Sequence, residues 1–192
     1  MYAFVHVPKT GGTNIVHNLP GTCKGHFRVS DFTQHDHGHE FITFVRDPYD
    51  IVASGYYFVK RKGIQGGGRA VFDEYHMDLI WNKKVGVEEF MKNCIPNHTL
   101  SYYYDELDVS DFTFVGSTDN MKASIDLFEK MTKIHLPRQV ANVNPDKNPG
   151  DKYNCNYSRQ EFYERNSLDY EAYLRGMERF TYLCHQYGIE HI

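Results

Sequence analysis

The chain of 192 residues is short of the features that mark several protein classes. It has no long apolar run. Tyr2 to Val7 is interrupted by His6, and Phe41 to Val45 is far shorter than the roughly 20 residues a membrane span needs. Neither stretch has the form of a secretory leader, so the expectation is a soluble, intracellular or cytoplasmic protein with no signal peptide and no membrane span. The four cysteines, Cys23, Cys94, Cys155 and Cys184, are widely spaced. That excludes CxxC metal and redox motifs and favours reduced thiols over disulfides. Internal repeats, low-complexity tracts and linkers are absent. Excess basic charge is absent too: 21 Lys+Arg stand against 25 Asp+Glu, a net charge of −4, which argues against a general nucleic-acid binder.

Acidic side chains are also missing from the first thirty residues. Residues 1–72 carry eight Lys/Arg and five Asp/Glu, a net of +3, and residues 73–192 carry −7. A basic beginning on an acidic chain suggests an anionic ligand near the N-terminus. What the chain does have is 41% apolar and 15% aromatic residues, enough for one ordinary domain with a real core.

The pattern predicts strands alternating with helices, hence one α/β domain over residues 1–192 with a central parallel sheet flanked by helices. Tyr2–Val7 reads as a buried strand, Pro8–Thr13 as a loop and Asn14–Leu19 as a helical turn or more. Phe41–Arg46 is a second strand. Asp47 suits the N-cap and Pro48 the first turn of a helix running to about Val59. Gly63 and Gly66 to Gly68 lie in a loop. Val87–Cys94 reads as a short helix, Tyr102–Tyr104 as strand or loop, and Phe112–Val115 as a strand. A helix follows from about Asp119 to Lys133, with Met121, Ile125 and Phe128 on one face. Residues 142–157 read as a polar loop. Ser158-Arg-Gln-Glu161 matches a capping box. Ser167 to Tyr187 is the clearest helix, with Tyr170, Tyr173, Leu174, Met177, Phe180 and Cys184 as its core stripe.

Two stretches carry chemistry. In His6-Val-Pro-Lys-Thr-Gly-Gly-Thr-Asn14 a strand enters, two glycines permit a tight loop, and a helix leaves. Backbone N–H groups of such a loop form an anion nest, with Thr10 and Thr13 adding hydroxyls and Lys9 a full charge. The lysine precedes the glycines, unlike the GxxxxGK[ST] loop of nucleotide triphosphatases. In Val45-Arg-Asp-Pro-Tyr-Asp-Ile-Val-Ala-Ser54, Arg46 ends a strand, where α/β folds bind ligands, and Ser54 lies about two helical turns on. A guanidinium and a hydroxyl can hold a second phosphate.

Together the motifs resemble the sulfotransferases that use 3′-phosphoadenosine 5′-phosphosulfate (PAPS). Pro8-Lys-Thr-Gly-Gly-Thr13 resembles that family's 5′-phosphosulfate loop, and Arg46-Asp-Pro with Ser54 its 3′-phosphate motif. Phe114-Val-Gly-Ser-Thr-Asp119 resembles its strand-turn before a helix. Asn166-Ser-Leu-Asp-Tyr170 with Tyr173 resembles the C-terminal helix of the carbohydrate-directed branch. Ser54-Gly-Tyr-Tyr-Phe58 and Lys60-Arg-Lys62 are most similar to heparan sulfate 2-O-sulfotransferase-like proteins. Two departures stand out: Ile51 occupies a position where relatives often carry Arg, and their catalytic domains are larger.

The resemblance implies a P-loop-type fold and transfer of a sulfuryl group from PAPS to a hydroxyl acceptor, such as a glycan or other carbohydrate. It implies that Lys9 is catalytic, that Thr10, Gly11, Gly12, Thr13 and Asn14 cradle the 5′-phosphate, that Arg46 and Ser54 hold the 3′-phosphate, and that Lys147 is a further contact. No metal is required. A general base near neutral pKa suits His, and Gly25-His26 resembles the segment supplying it, which selects His26. His37 and His39 are the runners-up. His35, His37 and His39 alternate as metal ligands could, or belong to a solvated loop. Lys60, Arg61, Lys62 and Arg69 are either a grip for an anionic glycan or a solvated loop. Two other functions remain open: a P-loop nucleotide-dependent phosphotransferase, and an inactive nucleotide-binding relative.

Overall fold

Strands β1 (Tyr2–Val5), β2 (Glu40–Val45) and β3 (Phe114–Ser117) form a parallel sheet in the order β1-β2-β3. A computed structural model describes residues 2–19, 26–33, 40–62, 71–93, 99–105, 107–136, 138 and 155–191. Phe4 pairs with Ile42, and Val45 with Ser117. Parallel neighbours require long crossovers, and helices fill them here. The apolar runs are continuous because both faces of the sheet are covered.

Helices α1 (Thr13–Asn18) and α2 (Val29–Thr33) lie between β1 and β2 in the chain. Helices α3 (Pro48–Lys62), α4 (Glu74–Trp81), α5 (Val87–Asn93) and α6 (Leu100–Tyr104) lie between β2 and β3. After β3 come α7 (Met121–Thr132), α8 (Arg159–Arg165) and α9 (Ser167–Tyr187). The apolar residues form two clusters. The larger joins the sheet to α7 and α9 through Phe44, Phe114, Phe128 and Phe180. The smaller joins α3, α4, α5 and α8 through Tyr56, Met77, Phe90 and Phe162.

Local signals act as the sequence predicts at several ends. The Tyr49 N–H donates to the Asp47 carboxylate at 2.8 Å, so Asp47 caps α3 ahead of Pro48. The Ser158 hydroxyl accepts from the Glu161 N–H at 3.3 Å and opens α8.

Other expectations are corrected. Helix α3 continues to Lys62, and residues 102–104 are helical rather than strand or loop. Helix α4 has no counterpart in the sequence reading; the Asp73 side chain caps it by accepting from the His76 N–H at 2.9 Å. On α9, Leu174 is exposed, and the buried face centres on Asp169, Gly176, Phe180 and Cys184. Gly176 lets the helix meet β2, since a Cβ there would lie 2.5 Å from Val45 Cγ1. Asp169 accepts from the Thr99 and Ser101 N–H groups and the Ser101 hydroxyl.

Cys155 and Cys184 are free thiols, and burial pushes Cys184 up to about 11. Cys23 and Cys94 lie outside the described residues. No described helix is long and apolar enough to cross a membrane.

Candidate functional site: a cationic loop at the carboxyl edge of the sheet

The loop after β1 is held by side chains from three directions. The Thr10 hydroxyl donates to the Val7 carbonyl at 2.8 Å. The Thr118 hydroxyl, just past β3, donates to the Thr10 carbonyl at 2.6 Å. Arg46, at the end of β2, donates from Nη1 to the Lys9 carbonyl at 2.8 Å. All three strand ends thus converge on residues 7–10.

The backbone bends sharply there, with φ of 67° at Lys9 and 81° at Gly11. A left-handed lysine costs about 1–2 kcal/mol, which the bonds to Lys9 and Thr10 help offset. Gly12 caps α1 in a helical conformation. Its need for glycine comes from crowding: a Cβ would lie 2.5 Å from Phe4 Cζ and 2.6 Å from His6 Cδ2.

Lys9 projects over α3, with its Nζ 4.3 Å from the centre of the Phe58 ring. Its only ring or charge neighbours among the described residues are Phe58, Arg46 and Arg61; no carboxylate pairs with it. Burial, then the charges of Arg46 and Arg61, lower its pKa to about 8. Two cations from segments 37 residues apart are therefore gathered at one strand edge, and one of them, Lys9, is half-buried with no carboxylate partner among the described residues.

Beside the loop is a histidine pair. His6 stacks on Phe4 and lies 4.3 Å, centre to centre, from His26. His26 Nδ1 is 2.7 Å from the His6 carbonyl oxygen. A carbonyl only accepts, so His26 carries its proton on Nδ1 and, when neutral, presents a lone pair on Nε2. Burial lowers the pKa of His26, partly countered by that bond. His6, more deeply buried and facing His26, is lowered to about 3 and stays neutral at pH 7.

The other expected residues divide. Thr10 is fully buried and its hydroxyl is spent on Val7, so it braces the loop rather than offering a hydroxyl to a ligand. Gly11 is exposed, Thr13 is the half-buried first residue of α1, and Asn14 follows it. Ser54 is half-buried on α3, and no hydrogen bond joins it to Arg46. Lys147, His35, His37 and His39 lie outside the described residues, as do residues 63–70 with Arg69. Among the described residues no group of His, Cys, Asp and Glu could hold a metal ion.

Sequence reasoning missed three participants. His6 was legible only as a polar residue ending an apolar strand. Arg159 and Tyr163 secure the other half of the Arg-Asp-Pro motif. Arg159 pairs with Asp47 at 2.7 Å and Asp50 at 2.6 Å, and lies over the Tyr49 ring at 4.3 Å. The Tyr163 hydroxyl donates to Asp47 at 2.6 Å. Burial raises the Asp47 pKa against the opposing pull of Tyr163 and Arg159. The paired carboxylates at the start of α3 were the available signal.

No protein-family model matches this chain, and neither a curated protein nor a solved structure matches it significantly.

Proposed function

We propose that the chain is a PAPS-dependent O-sulfotransferase built on a P-loop-type fold, acting on a hydroxyl acceptor of carbohydrate type. The observation that carries this reading is Lys9: a half-buried ammonium, crowded by Arg46 and Arg61 and with no carboxylate partner among the described residues, at the carboxyl edge of a parallel sheet. Cations so placed are relieved by an anion. The motif resemblance supplies which anion.

When bound, PAPS supplies a sulfuryl group on a phosphate leaving group. Lys9 neutralises charge that builds on the leaving oxygens, the largest task in such a transfer. The backbone N–H groups of residues 10–14 face the 5′-phosphate. Arg46 and Ser54 hold the 3′-phosphate, and Arg46 also fixes the Lys9 carbonyl, so one side chain binds ligand and shapes the loop. His26 takes the acceptor's hydroxyl proton on Nε2, the nitrogen left open by its bond to His6.

Thermal unfolding with adenosine 3′,5′-bisphosphate and with ATP, followed by transfer from labelled PAPS to a panel of glycans and small hydroxyl compounds, tests the reading. The bisphosphate is expected to stabilise the fold more than ATP, and H26A to lose transfer while still binding it. Stabilisation by ATP alone overturns the donor assignment. Wild-type transfer by H26A removes His26 as the base.

A further inference from the structure

His26 has no helix or strand of its own to hold it. Residues 26–28 carry no regular secondary structure, and α2 starts only at Val29. Its ring must therefore be oriented from another part of the chain. His6 does this twice, once with its backbone and once with its side chain. The backbone carbonyl oxygen lies 2.7 Å from His26 Nδ1 and fixes where the ring carries its proton. One hydrogen bond still lets the imidazole pivot about that contact. The His6 side chain removes this freedom, because the two ring centres are 4.3 Å apart with their planes tilted by 31°, close enough to touch.

His6 is itself held. It is the first residue after β1 and is 9% exposed. Its ring stacks on Phe4, with centres 5.2 Å apart and planes 18° apart. Its Cδ2–Nε2 edge meets the anion loop, where a Cβ on Gly12 would lie 2.6 Å from Cδ2 and 2.9 Å from Nε2. One ring thus touches Phe4 of the sheet, Gly12 of the loop and His26. Burial keeps that ring uncharged at pH 7, so it sets no like charge against His26 when His26 takes a proton.

We propose that His6 is a positioning residue: its ring is the spacer that holds the His26 imidazole at a fixed place beside the loop, with the Nδ1 proton bound and Nε2 left to accept. His6 acts only through His26. The inference rests on the transfer reading for what His26 does, and not for how His26 is held. The role needs a flat ring at position 6 and makes no use of the acid–base chemistry of His6.

Side-chain nitrogen NMR of His26 in the full chain without nucleotide, assigned with H26A, reads the positioning. Steady-state transfer from labelled PAPS reads its use. Wild type and H6F, which keeps a flat ring and the backbone carbonyl, are expected to show His26 in the Nδ1–H form. H6A is expected to show a mixture with the Nε2–H form, because a pivoting ring leaves the carbonyl part of the time. Its kcat is expected to fall at least about tenfold, since misplacing a group by about 1 Å can cost about 100-fold, and H6F to restore most of the loss. KM for PAPS and affinity for the bisphosphate are expected to stay within about twofold in H6A. If H6A does not fold, H6L, which fills the space without a flat face, replaces it. A single Nδ1–H form in the folded variant overturns the proposal, and so does an H6F as impaired as H6A. Loss of bisphosphate affinity alongside kcat makes His6 a brace of the loop and also overturns it. Absence of transfer by the wild type overturns the transfer reading alone, and the spectra still decide whether His6 positions His26.

Discussion

Two charged clusters flank the Arg-Asp-Pro turn, and they are built on opposite principles. On one side Arg159 is enclosed by Asp47, Asp50, Tyr163 and the Tyr49 ring. Two carboxylates share one guanidinium there, and the pairing raises the Arg159 pKa despite burial. On the other side Lys9 faces an aromatic ring and two like charges, and its pKa falls. The first cluster is closed and holds α8 onto the start of α3. The second stores unfavourable charge that a bound anion would relieve. Adjacent residues of one motif serve both: Asp47 turns to the closed cluster and Arg46 to the open one. The difference separates charges that are paired within the fold from like charges that are crowded together at its edge.

The comparison breaks most sharply at Lys9. The variant K9M is expected to lower sulfuryl transfer by about 10²–10³-fold, the usual cost of losing one charge-stabilising group. Its melting temperature should hold or rise, because a half-buried charge is removed. A large fall in melting temperature without loss of bisphosphate binding would place Lys9 among the structural charges.

At Arg159 the expected signs reverse. R159L removes the guanidinium that pairs with the buried Asp50 carboxylate, 1% exposed. Breaking a buried pair by removing one partner costs about 3–5 kcal/mol. The Arg159 side chain is 43% exposed, so the lower part of that range is expected in denaturant unfolding. Bisphosphate affinity, measured while the protein is folded, should change little. Unchanged stability would show that the closed cluster holds nothing.

The smallest effect is a pH dependence that sharpens the open cluster. The Lys9 pKa, lowered to about 8 from 10.5, means the folded protein releases this proton more readily than the unfolded chain. The cost to stability is present below pH 8 and is relieved as pH rises toward 10.5. Anion binding runs the other way, because it needs the charged form. Bisphosphate affinity, followed by calorimetry, is expected to fall as pH passes 8, and K9M to lack that step. The same step in K9M would assign it to another group.

Several parts of this arrangement were legible in the sequence because they are local. Asp47 before Pro48 caps a helix whatever it packs against, and Ser158 with Glu161 does the same. Helix α9 runs from Ser167 to Tyr187 as its periodicity predicts. Which face of α9 is buried was not legible. Hydrophobic pattern counts neither a glycine nor an aspartate as core, yet Gly176 meets Val45 and Asp169 caps the Thr99–Ser101 backbone, turning Leu174 outward. The helix at Tyr102–Tyr104 was hidden because three successive tyrosines show no period. Lys9, Arg46 and His26 were named from pattern and resemblance. The demotion of Thr10 to a brace, and the entry of His6, Arg159 and Tyr163, needed the fold.

By itself, then, the sequence determined an α/β chain with a carboxylate-free beginning, its cations placed at strand ends and its helices capped. Those are properties of neighbouring residues, set by backbone sterics and short-range hydrogen bonds. Tertiary structure decided which charges are neutralised and which are not. The parallel register of β1 and β2 brings Arg46 to the carbonyl of Lys9, while α8 brings Arg159 to Asp47 and Asp50. Charge interactions depend on distance and burial, and neither is fixed until the chain has folded.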